Sequence, residues 1–173
     1  MMGLDDIKKL RELTSLGIND CRKALEETEG NFDKALEILR NKGIRVMEEK
    51  KGRKTSQGLI EAYVHFGGNL GALVEVNCET DFVARTEVFK KFVKDVAMHI
   101  AATNPKYLRR QDIPQEELAS IVNIDEYARE NCLLEQLFVK DNIVTVEGYL
   151  HQVVSQTGEK VVIGRFSRFS LEG

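Results

Sequence analysis

The sequence predicts an α+β protein, with a small N-terminal three-helix domain followed by a core in which helices pack on an antiparallel sheet. Three observations carry that prediction. The first third of the chain places apolar residues at helical spacing, interrupted by glycines. Residues 60–78 alternate on either side of Gly67-Gly68-Asn69, as a hairpin does. The chain closes on "KVVIGRFSRFSL", a second alternating stretch, and helical patterns fill the interval.

Taken in order, Leu4, Ile7, Leu10 and Leu13 trace one face of a first helix, which Gly17 breaks. Cys21, Ala24, Leu25 and Thr28 mark a second. Asn31 is placed to cap a third helix bearing Phe32, Ala35, Leu36 and Leu39, and Gly43 stands where a terminating glycine belongs. Residues 48–58, "EEKKGRKTSQG", are polar and aperiodic and read as a linker. The chain therefore divides into a helical domain (1–47), a linker (48–57) and a core (58–173).

In the core, Ile60, Ala62, Val64 and Phe66 alternate with Glu61, Tyr63 and His65. After the turn, Ala72, Val74, Val76 and Cys78 alternate with Leu73, Glu75 and Asn77. Phe89, Val93, Val96 and Ile100 predict a long helix that stops near Asn104-Pro105. Pro114 opens one further helical stretch, "PQEELASIVNIDEYAREN", and another helix runs from about Val146 to Val154, ended by Gly158. The alternation of the last strand slips at Gly164, which predicts a bulge.

Composition narrows the function. Hydrophobic residues make up 42% of the 173 residues and charged residues 31%, with a net charge of −3. That balance fits a water-soluble globular chain and argues against one whose main task is gripping nucleic acid or an anionic membrane. No apolar run approaches the roughly 18 residues of a membrane span. The charged N-terminus does not read as a secretory signal, and three widely spaced cysteines read as reduced cytosolic thiols. A cytoplasmic protein with no direct nucleic-acid or membrane partner is expected.

No catalytic or metal pattern emerges. His65, His99 and His151 lack ligand spacing with one another or with the cysteines. "GRKT" in the linker lacks the glycine-lysine adjacency of a phosphate loop. The basic cluster Lys50, Lys51, Arg53 and Lys54 reads as a solvated face. Cys78 falls with Val74 and Val76 in the alternation, so a buried thiol is expected rather than a nucleophile. The expectation is a protein without metal, cofactor or hydrolytic active site.

Three passages carry a resemblance. "LRELTSLGINDCRKALEETEGNFDKALEILRNKG" resembles the N-terminal module of the elongation factor Ts family, a three-helix unit of the ubiquitin-associated (UBA-like) type. "GALVEVNCETDFVARTEVFKKF" is similar to that family's most distinctive stretch, in which T-D-F-V follows the second core strand. The tail "LLEQLFVKD…TVEGYLHQVVSQTGEKVVIGRFSRFSL" is similar to its closing helix and strand. The chain resembles the short form of the family, with one core module and no coiled-coil insertion. It departs from the family in a short stretch between Pro114 and Leu133 and in Leu137, where proline is expected.

The resemblance implies a guanine-nucleotide exchange factor that binds elongation factor Tu, GDP-bound and nucleotide-free, and promotes GDP release by disturbing its magnesium and phosphate site. It implies that Thr80, Asp81, Phe82 and Val83 carry that disturbance, the Asp-Phe pair entering the partner while Thr80 and Val83 shape the turn. It also implies a second contact through Lys8, Arg11, Ile18 and Asn19 of the N-terminal module. On the residues alone the bland reading leads at both places: Asp81 caps the coming turn, Phe82 is a staple or core residue, and Lys8 and Arg11 are solvated helix residues. A single core module would leave a sheet face and edges exposed, so a homodimer is expected. A ubiquitin-binding adaptor is the competitor that the three-helix module alone suggests, and a thiol-dependent enzyme is a distant third.

Overall fold

The computed structural model describes residues 4–14 and 16–171, except the side chains of 46–48. The chain forms two compact units, one of residues 1–54 with 151–160 and one of residues 55–150 with 161–173.

The first unit contains α1 (Leu4–Thr14), α2 (Ile18–Glu27) and α3 (Phe32–Glu49). Their apolar stripes meet in one core of Ile7, Leu10, Leu16, Cys21, Ala24, Leu25, Ala35 and Leu39, with Phe32 and Leu36 packed against it. Thr14, in the last turn of α1, donates its hydroxyl to the Leu10 carbonyl (2.7 Å). Asn31 caps α3, its Oδ1 accepting from the Lys34 amide (3.1 Å), as its position in the sequence predicts. Gly43 does not end the helix. α3 runs on to Glu49 with Gly43 inside it, because an interior glycine costs a helix only about 1 kcal/mol and its φ stays helical. The first two residues of the expected linker, 48 and 49, thus belong to the last turn of α3.

Residues 151–160, the second part of α8 (Val146–Thr157) and the turn after it, belong to this unit. Gln152 donates to the Leu13 carbonyl (2.7 Å), Lys50 to the Gly158 carbonyl (2.6 Å), and Lys160 to the carbonyls of Lys51 (2.6 Å) and Arg53 (3.0 Å). The polar segment after α3 is thereby tied down through its backbone. Gly158 ends α8 with a positive φ of 71°.

The second unit is built on three antiparallel strands, β1 (Gln57–Val64), β2 (Leu70–Cys78) and β3 (Val161–Ser170), with β2 in the centre. Gly67 and Gly68, both at positive φ, turn the hairpin between β1 and β2. The β2–β3 register shifts between Glu75 and Val76, whose partners are Arg165 and Ile163, so Gly164 is the extra residue of the predicted bulge.

Helix α5 (Glu87–Thr103) packs across one face of the sheet. It buries Phe89, Phe92, Val93, Val96, Ala97 and Ile100 against a face that carries the buried Ala72, Val74, Val76, Cys78, Val161 and Ile163. Asn104 ends it in the left-handed conformation, its amide bonded to the Ile100 carbonyl, and Pro105 follows. Residues opposed across an antiparallel pair share a face. Ile60, Val64 and Leu73 therefore point away from α5, as does Phe169 opposite Gly71.

The stretch after Pro114 is two helices, not one: α6 (Gln115–Leu118) is a single turn, and α7 (Ile124–Asn131) begins afresh with Asn123 as its cap (3.2 Å to the Glu126 amide). The cap side chain competes with helix continuation at that residue. Ile113, Ala128 and Cys132 form a small core there, flanked by Tyr107 and Tyr127, whose hydroxyls both donate to Glu117.

Candidate interaction site

The end of β2 is held by a sequence of local bonds. Thr80 is extended (φ −126°, ψ 156°), and its Oγ1 accepts from the Val83 amide (3.4 Å). It thereby caps a one-turn helix, α4 (Asp81–Ala84). Six residues after Thr80, Thr86 caps α5, its Oγ1 accepting from the Phe89 amide (3.3 Å) and donating to the Val83 carbonyl (2.8 Å). Two threonine caps within seven residues leave the intervening turn little freedom. The capping expected of Asp81 is done by Thr80.

Successive residues of a helix point about 100° apart, so α4 cannot bury all four of its side chains. Val83 (8% exposed) and Ala84 are its buried pair, in a turn that packs on β1 and β2. Phe82 is consequently turned outward and is 79% exposed. A hydrophobic staple or core position for Phe82 is excluded by that exposure. Asp81 lies beside it, its carboxylate paired at 3.0 Å with the guanidinium of Arg85, one helical turn on. The site thus presents an aromatic ring and a paired carboxylate on a rigid corner.

Lys8 and Arg11 stand on the outer face of α1 and, with Glu12 and Gln156, line a shallow polar hollow of about 450 Å³. Ile18 and Asn19 are exposed at the first turn of α2 and do not line it.

The three cysteines, His99 and Asp95 are enclosed. Cys21, Cys78 and Cys132 are buried thiols outside any disulfide, and burial pushes the Cys132 thiol up to about 11. His99 is wholly buried in α5; its Nδ1 accepts from the Val139 amide (3.2 Å) and its Nε2 donates to Gln136 Oε1 (3.0 Å), a pairing that suits the neutral ring. Burial lowers its pKa. Asp95 of α5 is 4% exposed and is met by Lys140 (2.5 Å), the Tyr149 hydroxyl (3.0 Å) and Lys91 (3.4 Å). Among the described residues no group of three or more His, Cys, Asp or Glu is placed to hold a metal ion, and no helix is long and apolar enough to cross a membrane.

Comparison with known proteins then bears on the corner at Phe82. The family described as Elongation factor TS matches residues 4–126, a span that includes both the three-helix unit and the Thr80–Val83 corner. The chain belongs to the elongation factor Ts family. Among its relatives, Elongation factor Ts of Caldanaerobacter subterraneus subsp. tengcongensis is 43% identical over 192 positions, covering 98% of this chain and 96% of the relative. The protein of the same name from Thermotoga neapolitana is 40% identical (98% and 97% covered), and that from Alkaliphilus oremlandii 45% (95% and 87%). An alignment of 192 positions exceeds the 173 residues here, so that relative carries residues this elongation factor Ts family member lacks.

Sequence reasoning missed Arg85 and Asp95. The four-residue spacing from Asp81 to Arg85 could have revealed the first. Nothing local announces that Asp95, in a run of helix-surface charges, is buried by Lys140 and Tyr149 from far along the chain.

Proposed function

We propose that this chain is a guanine-nucleotide exchange factor that binds elongation factor Tu, GDP-bound and nucleotide-free, and promotes GDP release without hydrolysing nucleotide. Family membership supports the reading, and one observation carries it: a phenylalanine left 79% exposed on a doubly capped turn whose neighbours Val83 and Ala84 are buried. A ring held outward on a turn fixed at both ends is available for another molecule to take up. Asp81 and Phe82 enter the partner near its magnesium and phosphate groups and displace them, while Thr80 and Val83 hold the corner in shape. Lys8, Arg11, Ile18 and Asn19 make a second contact with the partner. The setting is the cytoplasm.

Linkage supplies the energetics. A factor that binds the nucleotide-free partner better than the GDP form weakens GDP by the same ratio. A thousandfold weakening needs about 4 kcal/mol of coupling. Burying the Phe82 ring on docking supplies on the order of 2–3 kcal/mol towards it.

The same reading includes a homodimer. The sheet face away from α5 exposes Ile60, Val64, Leu73 and Phe169 (76% exposed), and Phe66 at the hairpin turn is 97% exposed. An apolar hollow of about 400 Å³ lies beside Val64, Leu73 and Phe169. Together these side chains offer roughly 500–600 Å² per copy, most of the roughly 800 Å² per partner of a stable interface. A second copy, presenting the same face through a two-fold axis, fits it.

The test is release of labelled GDP from elongation factor Tu with and without the protein. Acceleration that saturates with protein concentration is expected, and an unchanged release rate at saturation overturns the reading.

A further inference from the structure

We infer that Arg85 is a positioning residue for exchange, acting through Asp81 rather than on the partner directly. The inference rests on the reading of Asp81 and Phe82 given above. α4 is one turn long, and the carboxylate of Asp81 at its start has no cap bond to hold it, since Thr80 takes that role. What holds it is the Arg85 guanidinium at 3.0 Å. Arg85 closes the turn, its amide bonded to the carbonyls of Asp81 (3.2 Å) and Phe82 (3.3 Å), so the two side chains stand one above the other on a single face.

Both partners of this pair are exposed, Arg85 more than Asp81, so the pair adds little to stability. Its consequence is for docking. A free carboxylate sweeps through several rotamers and meets a nucleoside diphosphate as a bare like charge. Paired with Arg85, it is held beside Phe82 in one orientation, and its field is offset as it nears the phosphates. The pair then presents the carboxylate to the metal side of the partner's site with its approach already fixed.

The experiment is a double-mutant cycle on release of fluorescent GDP from elongation factor Tu, using Arg85→Ala, Asp81→Asn and the double variant, with Arg85→Lys and Phe82→Ala alongside. Arg85→Ala is expected to lower the apparent second-order rate about fivefold at low salt, and by less at high salt, where the Debye length is a few ångströms. It is expected to melt with the wild type and to change the rate less than twofold once Asp81 is Asn. Arg85→Lys, keeping the charge, is expected to restore at least half of the rate. An equal effect of Arg85→Ala in both backgrounds overturns the inference, because Arg85 would then act without Asp81. A silent Arg85→Ala beside a slow Phe82→Ala overturns it while leaving the exchange reading intact. If Phe82→Ala is also silent, both fall. A large drop in melting temperature for Arg85→Ala assigns the residue to the fold and overturns the inference as well.

Discussion

Replacing Phe82 with alanine separates a docking role from a structural one. A phenylalanine side chain offers roughly 150–250 Å² to bury, and at 79% exposure about a fifth of that is already covered in this protein. Truncation therefore removes roughly 30–50 Å² of existing burial, about 1 kcal/mol at 25 cal/mol per Å². A fully buried phenylalanine would cost about 3–5 kcal/mol. On docking, the remaining surface is worth up to about 3–5 kcal/mol before ordering costs, and each 1.4 kcal/mol realised in the exchange complex is tenfold in rate. The expected variant melts within a few degrees of wild type and releases GDP from elongation factor Tu at least tenfold more slowly. Thermal unfolding and GDP release, measured on one preparation, decide the matter. A variant that melts far below wild type while its folded fraction exchanges normally would refute the reasoning, and so would one that is normal in both.

Sedimentation at micromolar concentration should show a species of twice the 19.6 kDa chain mass, and Phe169→Asp, on the exposed sheet face, should reduce it to a folded monomer. Asp95→Ala should cost about 2–3 kcal/mol, because it strands the Tyr149 hydroxyl and removes the anchor of Lys140; chemical denaturation reads this directly. Stability should also depend on pH through His99. Its folded pKa is lowered while the unfolded value is about 6.5, so the unfolded chain takes up the proton first. Its contribution is complete above pH 6.5 and is lost as pH falls from there towards the folded pKa, and His99→Gln should flatten that part of the profile. Glu75 and Glu117 have lowered pKa values, set by hydrogen bonds from Arg165 and from Tyr107 and Tyr127 respectively, so any stability they add is present above about pH 4.5 and lost below it. Gly58→Ala should destabilise the hairpin strongly, since its β-carbon would lie 2.2 Å from the Val76 carbonyl oxygen; the melting temperature checks it.

The sequence by itself determined what short-range chemistry determines. Helical spacing located the N-terminal helices, Asn31 and Asn104 marked a start and a stop, Gly67-Gly68 turned the hairpin, and the slip at Gly164 was a bulge. Each is settled by one residue's backbone preference or by a periodicity a few residues long. Local signals failed where the local preference was weak. Gly43 could end a helix or sit inside one for about 1 kcal/mol, and continuation won. One helical pattern after Pro114 became two helices because Asn123 capped the second.

Tertiary structure alone decided which side of each element meets what. The alternation of Ile60, Ala62 and Val64 reads equally well as a core face; pairing with β2, whose other face is committed to α5, turned it outward. Phe82 was likewise undetermined, and became exposed because the single turn of α4 has room to bury Val83 and Ala84 but not a third side chain. Burial is a property of the neighbours a residue acquires from elsewhere in the chain, and for Phe82, Ile60 and Asp95 those neighbours lie outside any local window.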